Sequence, residues 1–285
     1  MKTLDITVLA HEGPIYRAYM SIFNALGYKV KRIIKLYNGH NKLRWLPRYW
    51  RNNLLYIKEA LSNNYWPIYF IKRKEIFEPI QQTILQNYHL PNTFFNLFSQ
   101  SNFNTNVFGE ECIYCDCESS GFKSDNLFYL LKRLGPQTYL FTGGGLVPQH
   151  VLALPQTQFV HVHPGFLPYV RGADGILWST LIRQKPGAAC FYMVPQLDEG
   201  QLILTEELPA LRFNIPQAYQ DVKTLYRLTF SFYDPAVRAV LLKRILEQFG
   251  ILTNLPTYPQ NITQGVTYHF MHDMLQRKVL KQIFM

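Results

Sequence analysis

His161-Val-His163-Pro-Gly-Phe-Leu-Pro168, followed by Arg171-Gly172 and then by Leu197-Asp198-Glu199-Gly200, decides the reading of this chain. Gln158-Phe159-Val160 lead into the first run and Pro164-Gly165 close it, so it reads as a strand ending in a turn. Side chains alternate faces along a strand, which puts His161 and His163 on one side. Two imidazoles at the carboxyl end of a strand, beside a Pro-Gly turn, mark a candidate site. Asp198 lies 35 residues on (198 − 163), after a second strand pattern at Cys190-Phe-Tyr-Met-Val194. The spacing fits one strand–helix–strand unit with a crossover helix over residues 176–183. It predicts parallel pairing, with Asp198 delivered to the His pair.

The same alternation extends to both sides of this unit. Residues 4–10 read as a strand, Gly13-Pro14 breaks it, residues 15–26 show helical spacing, and residues 28–36 form a second strand. Further along come a strand at 112–117, a helix at 124–134 with Ser124 as its cap, a strand at 138–142 that ends in Gly143-Gly144-Gly145, and a helix at 147–154. This order predicts an α/β fold, a doubly wound and mostly parallel Rossmann-like sheet with ligands at the carboxyl ends of its strands. His11-Glu12-Gly13-Pro14 stands where a dinucleotide-binding glycine fingerprint would be, which argues against a nucleotide cofactor bound in that manner.

Residues 37–105 interrupt the pattern as a helical insertion, with helices expected at 53–62 and 74–86. Its basic, aromatic run Arg44-Trp-Leu-Pro-Arg-Tyr-Trp-Arg51 suits a lid or a docking surface. Such a run stacks bases and holds phosphates in some proteins. An amphipathic helix with snorkelling arginines is the commoner use, so nucleic acid is not the expected partner. After residue 208 the chain turns helical over 216–250, with a break at Tyr233-Asp-Pro235, then Pro-, Asn- and Thr-rich at 254–264. A strand at 265–271 and a basic terminal helix at 273–284 follow. The expected organisation is a domain over 1–208 with its insertion, and a C-terminal helical region over 209–285 with a short strand.

Charged residues make up 17% of the 285-residue chain and aromatics 15%, which excludes a disordered chain. A balance of 29 Lys plus Arg against 19 Asp plus Glu, or +10, suits an anionic partner, although a plainly basic surface gives the same count. No apolar stretch reaches the roughly 20 residues of a membrane span. Met1-Lys-Thr-Leu-Asp-Ile-Thr-Val-Leu-Ala reads as a strand, not a signal peptide, so a cytoplasmic protein without a membrane partner is expected. Cys112-Ile-Tyr-Cys115-Asp-Cys117 invites a metal reading, but no His or fourth Cys follows at ligand spacing. Reduced cysteines and no metal are expected.

The segment resembles the folate-dependent formyltransferases, whose motif reads Asn-x-His-Pro-Ser-Leu-Leu-Pro, then Arg-Gly, then a late Asp-x-Gly. His163, Pro164, Leu167, Pro168, Arg171, Gly172, Asp198 and Gly200 fall on matching positions. The resemblance runs upstream through Asp125-Asn-Leu-Phe-Tyr-Leu-Leu-Lys-Arg-Leu-Gly135 and Thr142-Gly-Gly-Gly-Leu-Val-Pro148. It covers about residues 110–205 well and 1–36 loosely. It departs at His161, where the family has Asn, and at Gly165, which takes the place of the family's small residue after Pro.

The resemblance implies transfer of a formyl group from 10-formyltetrahydrofolate to an amine. It implies that His163 and Asp198 act together in proton transfer, with the Asp orienting the His and raising its pKa. His161 takes the Asn's place as donor to the formyl oxygen; the alternative, read alone, is a buried structural histidine. Gly143, Gly144, Gly145, Leu146 and Val147 stand where the family's loop holds the pterin by main-chain hydrogen bonds; a plain turn is the alternative. Arg171 would hold a phosphate or carboxylate of the acceptor, or cap its loop. Asp174 would pair with the acceptor's ammonium or, as the safer reading, cap the helix that follows. The implied acceptor is the amine of a nucleotide-linked amino sugar or another small anionic molecule, and a homodimer is among the expected assemblies. Gln264 to Tyr268 are weakly similar to a tail element of the sugar-amine branch, and the helical tail argues against initiator-tRNA formylation. Two other readings of the same residues are a metal-dependent hydrolase using His-x-His and Asp, and a folate-binding protein without transferase activity.

Overall fold

The computed structural model describes residues 1–39, 46–100, 107–118 and 120–284. Strand β1 (Lys2–His11) is buried along nearly its whole second half, the mark of a strand covered on both faces. Helix α1 (Pro14–Ala25) starts with Pro at its first position, where the missing N–H costs nothing, and buries Tyr16, Tyr19, Met20 and Phe23. Gly27, at φ 73°, makes the left-handed exit into β2 (Tyr28–Tyr37). The other strands of the main sheet are β3 (Gly109–Asp116), β4 (Thr138–Phe141), β5 (Gln158–His163), β7 (Gly187–Tyr192) and β8 (Leu202–Glu207), in the order β3-β2-β1-β4-β5-β7-β8. The first five are parallel.

The β5–β7 unit departs from the expected parallel crossover. After β5 come a short strand β6 (Val170–Gly172) and helix α7 (Gly175–Arg183), and β7 then runs antiparallel to β5. Tyr192 therefore ends beside Val160 rather than beside His163. Strand β8, which the apolar run Leu202-Ile-Leu204 did not suggest on its own, forms a hairpin with β7. The sheet stays mostly parallel with an antiparallel edge, a common composition for doubly wound folds.

The insertion holds three helices, α2 (Arg48–Asn63), α3 (Tyr65–Ile71) and α4 (Lys74–Tyr88). Sequence pattern finds the first and third; Tyr65-Trp-Pro-Ile-Tyr-Phe-Ile71 has the aromatic, β-branched composition of a strand and conceals the second. Phe70, Ile76, Phe77, Ile80 and Ile84 belong to the main core with α1, so α3 and α4 are packed into the domain. Buried Glu12 ties the insertion to the end of β1: it accepts from Arg17 Nε (2.7 Å), Tyr56 OH (3.0 Å) and Asn64 Nδ2 (3.2 Å). Arg44 and Trp45 of the basic run lie outside the described residues.

Helix α5 (Asp125–Leu134) precedes β4, and the one-turn helix α6 (Gln149–Leu152) follows it. Ser124 stands at the amino-terminal cap of α5 with extended backbone, but its side chain makes no capping bond. The tail comprises α8 (Val222–Leu228), α9 (Asp234–Phe249), β9 (Val266–Tyr268) and α10 (Asp273–Ile283). Tyr233-Asp-Pro235 does not break the helix; a π-helical turn at Thr229–Tyr233 joins α8 to α9, and Pro sits in the first turn of α9 where it is tolerated. Val237, Leu241 and Ile245 share one core with Ile6 and Val162. The boundary at 208 thus marks a change of secondary structure, and the two segments have a common core. No described helix is long and apolar enough to cross a membrane.

Candidate functional site

Strand β5 brings the two histidines onto one side of the sheet, with ring centroids 6.5 Å apart. His163 is buried at 3% exposure, and both its nitrogens are engaged. Nε2 lies 3.0 Å from the carbonyl of Val170. A carbonyl only accepts, so Nε2 carries the hydrogen. Nδ1 lies 3.6 Å from Asp198 Oδ2, an electrostatic contact longer than a hydrogen bond. Neutral His163 therefore keeps its lone pair on Nδ1, toward the carboxylate.

The antiparallel β7 makes Asp198 work to reach this place. The loop after Tyr192 must travel back along β5, and Asp198 takes a left-handed conformation at φ 57°. Its Oδ2 accepts from the backbone N–H of Gly172 (2.8 Å). Gly200 is needed two residues on, because a Cβ there would stand 1.7 Å from the carbonyl oxygen of Tyr192. Glycines also frame the imidazole: a Cβ at Gly165 would lie 2.5 Å from His163 Nε2, and one at Gly175 would lie 3.0 Å from it. The turn after β5 is thus closed to any larger residue at position 165.

Burial pushes the His163 pKa below 6.5; Asp198 opposes this and Arg238 adds to it. The direction corrects the raised value that the Asp–His pairing implied, because in a dry site desolvation of the imidazolium outweighs one carboxylate at 3.6 Å. Burial depresses His161 strongly, followed by Arg238 and His163. Its ring lies against Phe141 (5.1 Å) and Phe191 (5.8 Å), and its Nδ1 is buried with no hydrogen bond among the described residues. Arg238 escaped the sequence reading. From α9 it donates to the carbonyl of Val162, between the two histidines, at 2.5 Å, and to Asp234 at 2.8 Å. The Asp234–Arg238 spacing of one helical turn was the available signal.

The loop after β4 has two characters. Gly143 is packed against Phe122, which a Cβ would meet at 2.9 Å, and Val147 is buried. Gly144 and Gly145 would meet nothing within 4 Å, Gly145 has φ 93°, and Leu146 is 63% exposed. Thr142 holds the base of this loop to β1 by donating to Leu9 O (2.7 Å) and accepting from His11 N (3.1 Å).

Arg171 and Asp174 are turned to the tail. Strand β6 pairs with β9, and buried Arg171 donates to Ile262 O, Gly265 O and Thr267 Oγ1 at 3.1–3.2 Å. Its Nε also stands 3.9 Å from Glu199 Oε1, so the side chain ties its own loop to the tail. The capping reading of Asp174 is overturned: it precedes α7 in a left-handed conformation with no capping bond. Its carboxylate instead accepts from Tyr226 OH and Met271 N, both at 2.8 Å. Asp174→Asn turns an N–H toward one of these donors. We expect a loss of about 1–3 kcal/mol in chemical denaturation.

The cysteines are all free, and Cys115 and Cys117 are buried. Among the described residues no group of three or more His, Cys, Asp or Glu is arranged to hold a metal ion.

No family model matches this chain. It is similar to the methionyl-tRNA formyltransferase of Syntrophus aciditrophicus, 32% identical over 91 residues, which is 31% of this chain and 29% of that protein. It is also similar to that of Ehrlichia canis, 35% identical over 78 residues, 27% of this chain and 26% of that one. The match thus spans less than a third of the length of these curated relatives. Among solved structures, a 4-N formyltransferase from Francisella tularensis aligns with 97% of this chain and 87% of its own, with a TM-score of 0.46 and 12% identity. The chain resembles the folate-dependent formyltransferases in its motif and in these sequence relatives.

Proposed function

We propose that this chain is an N-formyltransferase that moves a formyl group from 10-formyltetrahydrofolate to the amine of a small anionic acceptor, a nucleotide-linked amino sugar. The observation that carries the reading is the contact between His163 and Asp198, delivered by two separate motifs to one buried place at the carboxyl end of β5. The sequence likeness to formyltransferases over about 90 residues supports it.

The folate donor supplies the formyl carbon. The open backbone of Gly144, Gly145 and Leu146 suits the edge of a flat ring, and these residues would hold it. Attack by the amine forms a bond to the formyl carbon; as the bond from that carbon to the folate nitrogen breaks, the amine gives up a proton and the departing folate nitrogen takes one. His163 Nδ1 is the atom that takes the amine's proton, because Nε2 already gives its hydrogen to Val170. The imidazolium formed there is stabilised by Asp198 at 3.6 Å, while a buried, neutral starting imidazole remains free to accept. His161 supplies a donor toward the charge that grows on the formyl oxygen, the task an Asn amide performs in the family's motif. A metal-dependent hydrolase is the weaker reading, since among the described residues no three His, Cys, Asp or Glu side chains are grouped to hold a metal ion. The basic balance of +10 supports an acceptor bearing a diphosphate.

Titration calorimetry with 5-formyltetrahydrofolate, followed by incubation of 10-formyltetrahydrofolate with a panel of nucleotide amino sugars, tests the proposal. We expect binding and a formamide product. Binding with no product from any amine would reduce the chain to a folate-binding protein; absence of both would remove the reading.

A further inference from the structure

We infer that Gln260 is a positioning residue, which holds the left-handed turn at Asp198 in place and through it sets the carboxylate against His163. The inference rests on the formyltransferase reading for its effect on turnover, but not for its effect on the imidazole.

The side-chain amide of Gln260 donates from Nε2 to two carbonyls of one turn, Asp198 O at 2.9 Å and Gly200 O at 2.5 Å. The first of these carbonyls belongs to the residue that most needs support. Asp198 is a non-glycine residue at φ 57°, a conformation held only where its surroundings impose it. The turn has no regular secondary structure between β7 and β8 to fix it. Gln260 comes from the Pro-, Asn- and Thr-rich tail, 60 or more residues away in sequence. It follows the paired backbone bonds of Tyr258 to Leu202, both 2.9 Å, and this strap continues through Gly265 and β9. A Cβ at Gly265 would lie 1.7 Å from Pro168 O, and β9 pairs with β6 in parallel register.

The strap thereby grips both loops that touch His163. One carries Val170, whose carbonyl takes the hydrogen of Nε2. The other carries Asp198, which faces Nδ1. Arg171 stitches the first loop to the strap by three bonds, and Gln260 stitches the second by two. The charged and titratable groups facing His163 are His161 on its own strand, Asp198 on the gripped turn, and Arg238 and Asp234 on α9. Asp198 is the one whose position depends on Gln260. Its carboxylate favours the imidazolium, so letting it drift lowers the His163 pKa further.

The test is an NMR titration of the His163 ring in the full chain, the resonance being assigned with His163→Asn. Gln260→Met keeps the length and removes both N–H groups. Gln260→Ala is a second variant that lets water reach the carbonyls. Thr263→Val removes a bond inside the strap, Thr263 Oγ1 to Asn261 Oδ1 at 2.7 Å, that reaches neither loop, and is the structural control. We expect the His163 pKa to fall in both Gln260 variants and to stay in Thr263→Val. In the transfer assay we expect kcat to fall by about tenfold to a hundredfold with KM little changed, the scale for a catalytic group displaced by ~1 Å. An unmoved His163 pKa in folded Gln260 variants overturns the inference, as does an equal shift in Thr263→Val. Unfolding of both Gln260 variants also overturns it, because Gln260 would then serve overall stability. A moved pKa in a protein that shows no transfer in wild-type form upholds the positioning and refutes only the formyltransferase reading.

Discussion

On the proposed function, His163→Ala should reduce formyl transfer by on the order of a hundredfold or more, and Asp198→Ala comparably, the loss expected when a positioned proton-transfer group is removed. The two variants fail for different reasons. Without His163, no other described group stands at its place to take the amine's proton. Without Asp198, the imidazole remains, still bonded through Nε2 to Val170, but the imidazolium forms in a buried site with Arg238 nearby and no facing carboxylate. Asp198→Ala also removes the acceptor of the Gly172 N–H. The check is therefore kcat in each variant beside its melting temperature. Asp198→Asn, which keeps an acceptor for Gly172 but not the charge, separates the two effects. His161→Asn should keep substantial activity, since the amide is a neutral donor at every pH. Near-normal turnover in His163→Ala would remove that residue from the mechanism.

Acidification destabilises the folded chain well before most carboxylates titrate. Both site histidines have folded pKa values depressed below 6.5, chiefly by burial. The unfolded chain accepts protons at the ordinary value, while the folded chain holds both rings neutral. Their share of stability is thus fully present above pH 6.5 and is lost as pH falls from there toward the folded values. Each ring contributes a slope of about 1.4 kcal/mol per pH unit within that window, and the two together about 2.7 kcal/mol. Arg238 sharpens the effect, as a buried cation that lowers the pKa of both rings and is held to the carbonyl of Val162. Denaturant melts from about pH 7.5 down to about pH 5 check this in wild type and in the double variant His161→Asn, His163→Asn. The double variant should show a flatter profile. Equal slopes would mean that the rings are solvated in the native state.

The sequence made the parallel half of the sheet readable because β1, α1 and β2 follow local rules: buried strands, Pro at a helix start and Gly27 at its end. His163 and Asp198 do meet, but not by the expected route: β7 ends beside Val160, and a loop carries Asp198 back along β5. The sequence misjudged the direction of β7, since a helix between two strands suggests a crossover and α7 is too short to say otherwise. Ser124 and Asp174 show a second limit. Both have capping chemistry at the right position, yet Asp174 serves Tyr226 and Met271, partners 52 and 97 residues distant. Arg171 likewise reads as a ligand-binding cation and is consumed by carbonyls of the tail. Such uses depend on which distant backbone groups lack partners, and no local pattern records that. Gln260 is the same case: nothing in Thr257-Tyr-Pro-Gln260 points to Asp198.

Transfer of an isotopically labelled formyl group from 10-formyltetrahydrofolate to a nucleotide amino sugar, followed by NMR of the product, tests the central claim most directly. A formyltransferase acting through His163 leaves label in a formamide on the acceptor amine with release of tetrahydrofolate, at a rate that collapses in His163→Ala. Label that stays on the folate with every amine offered, or that moves equally fast in His163→Ala, would contradict it.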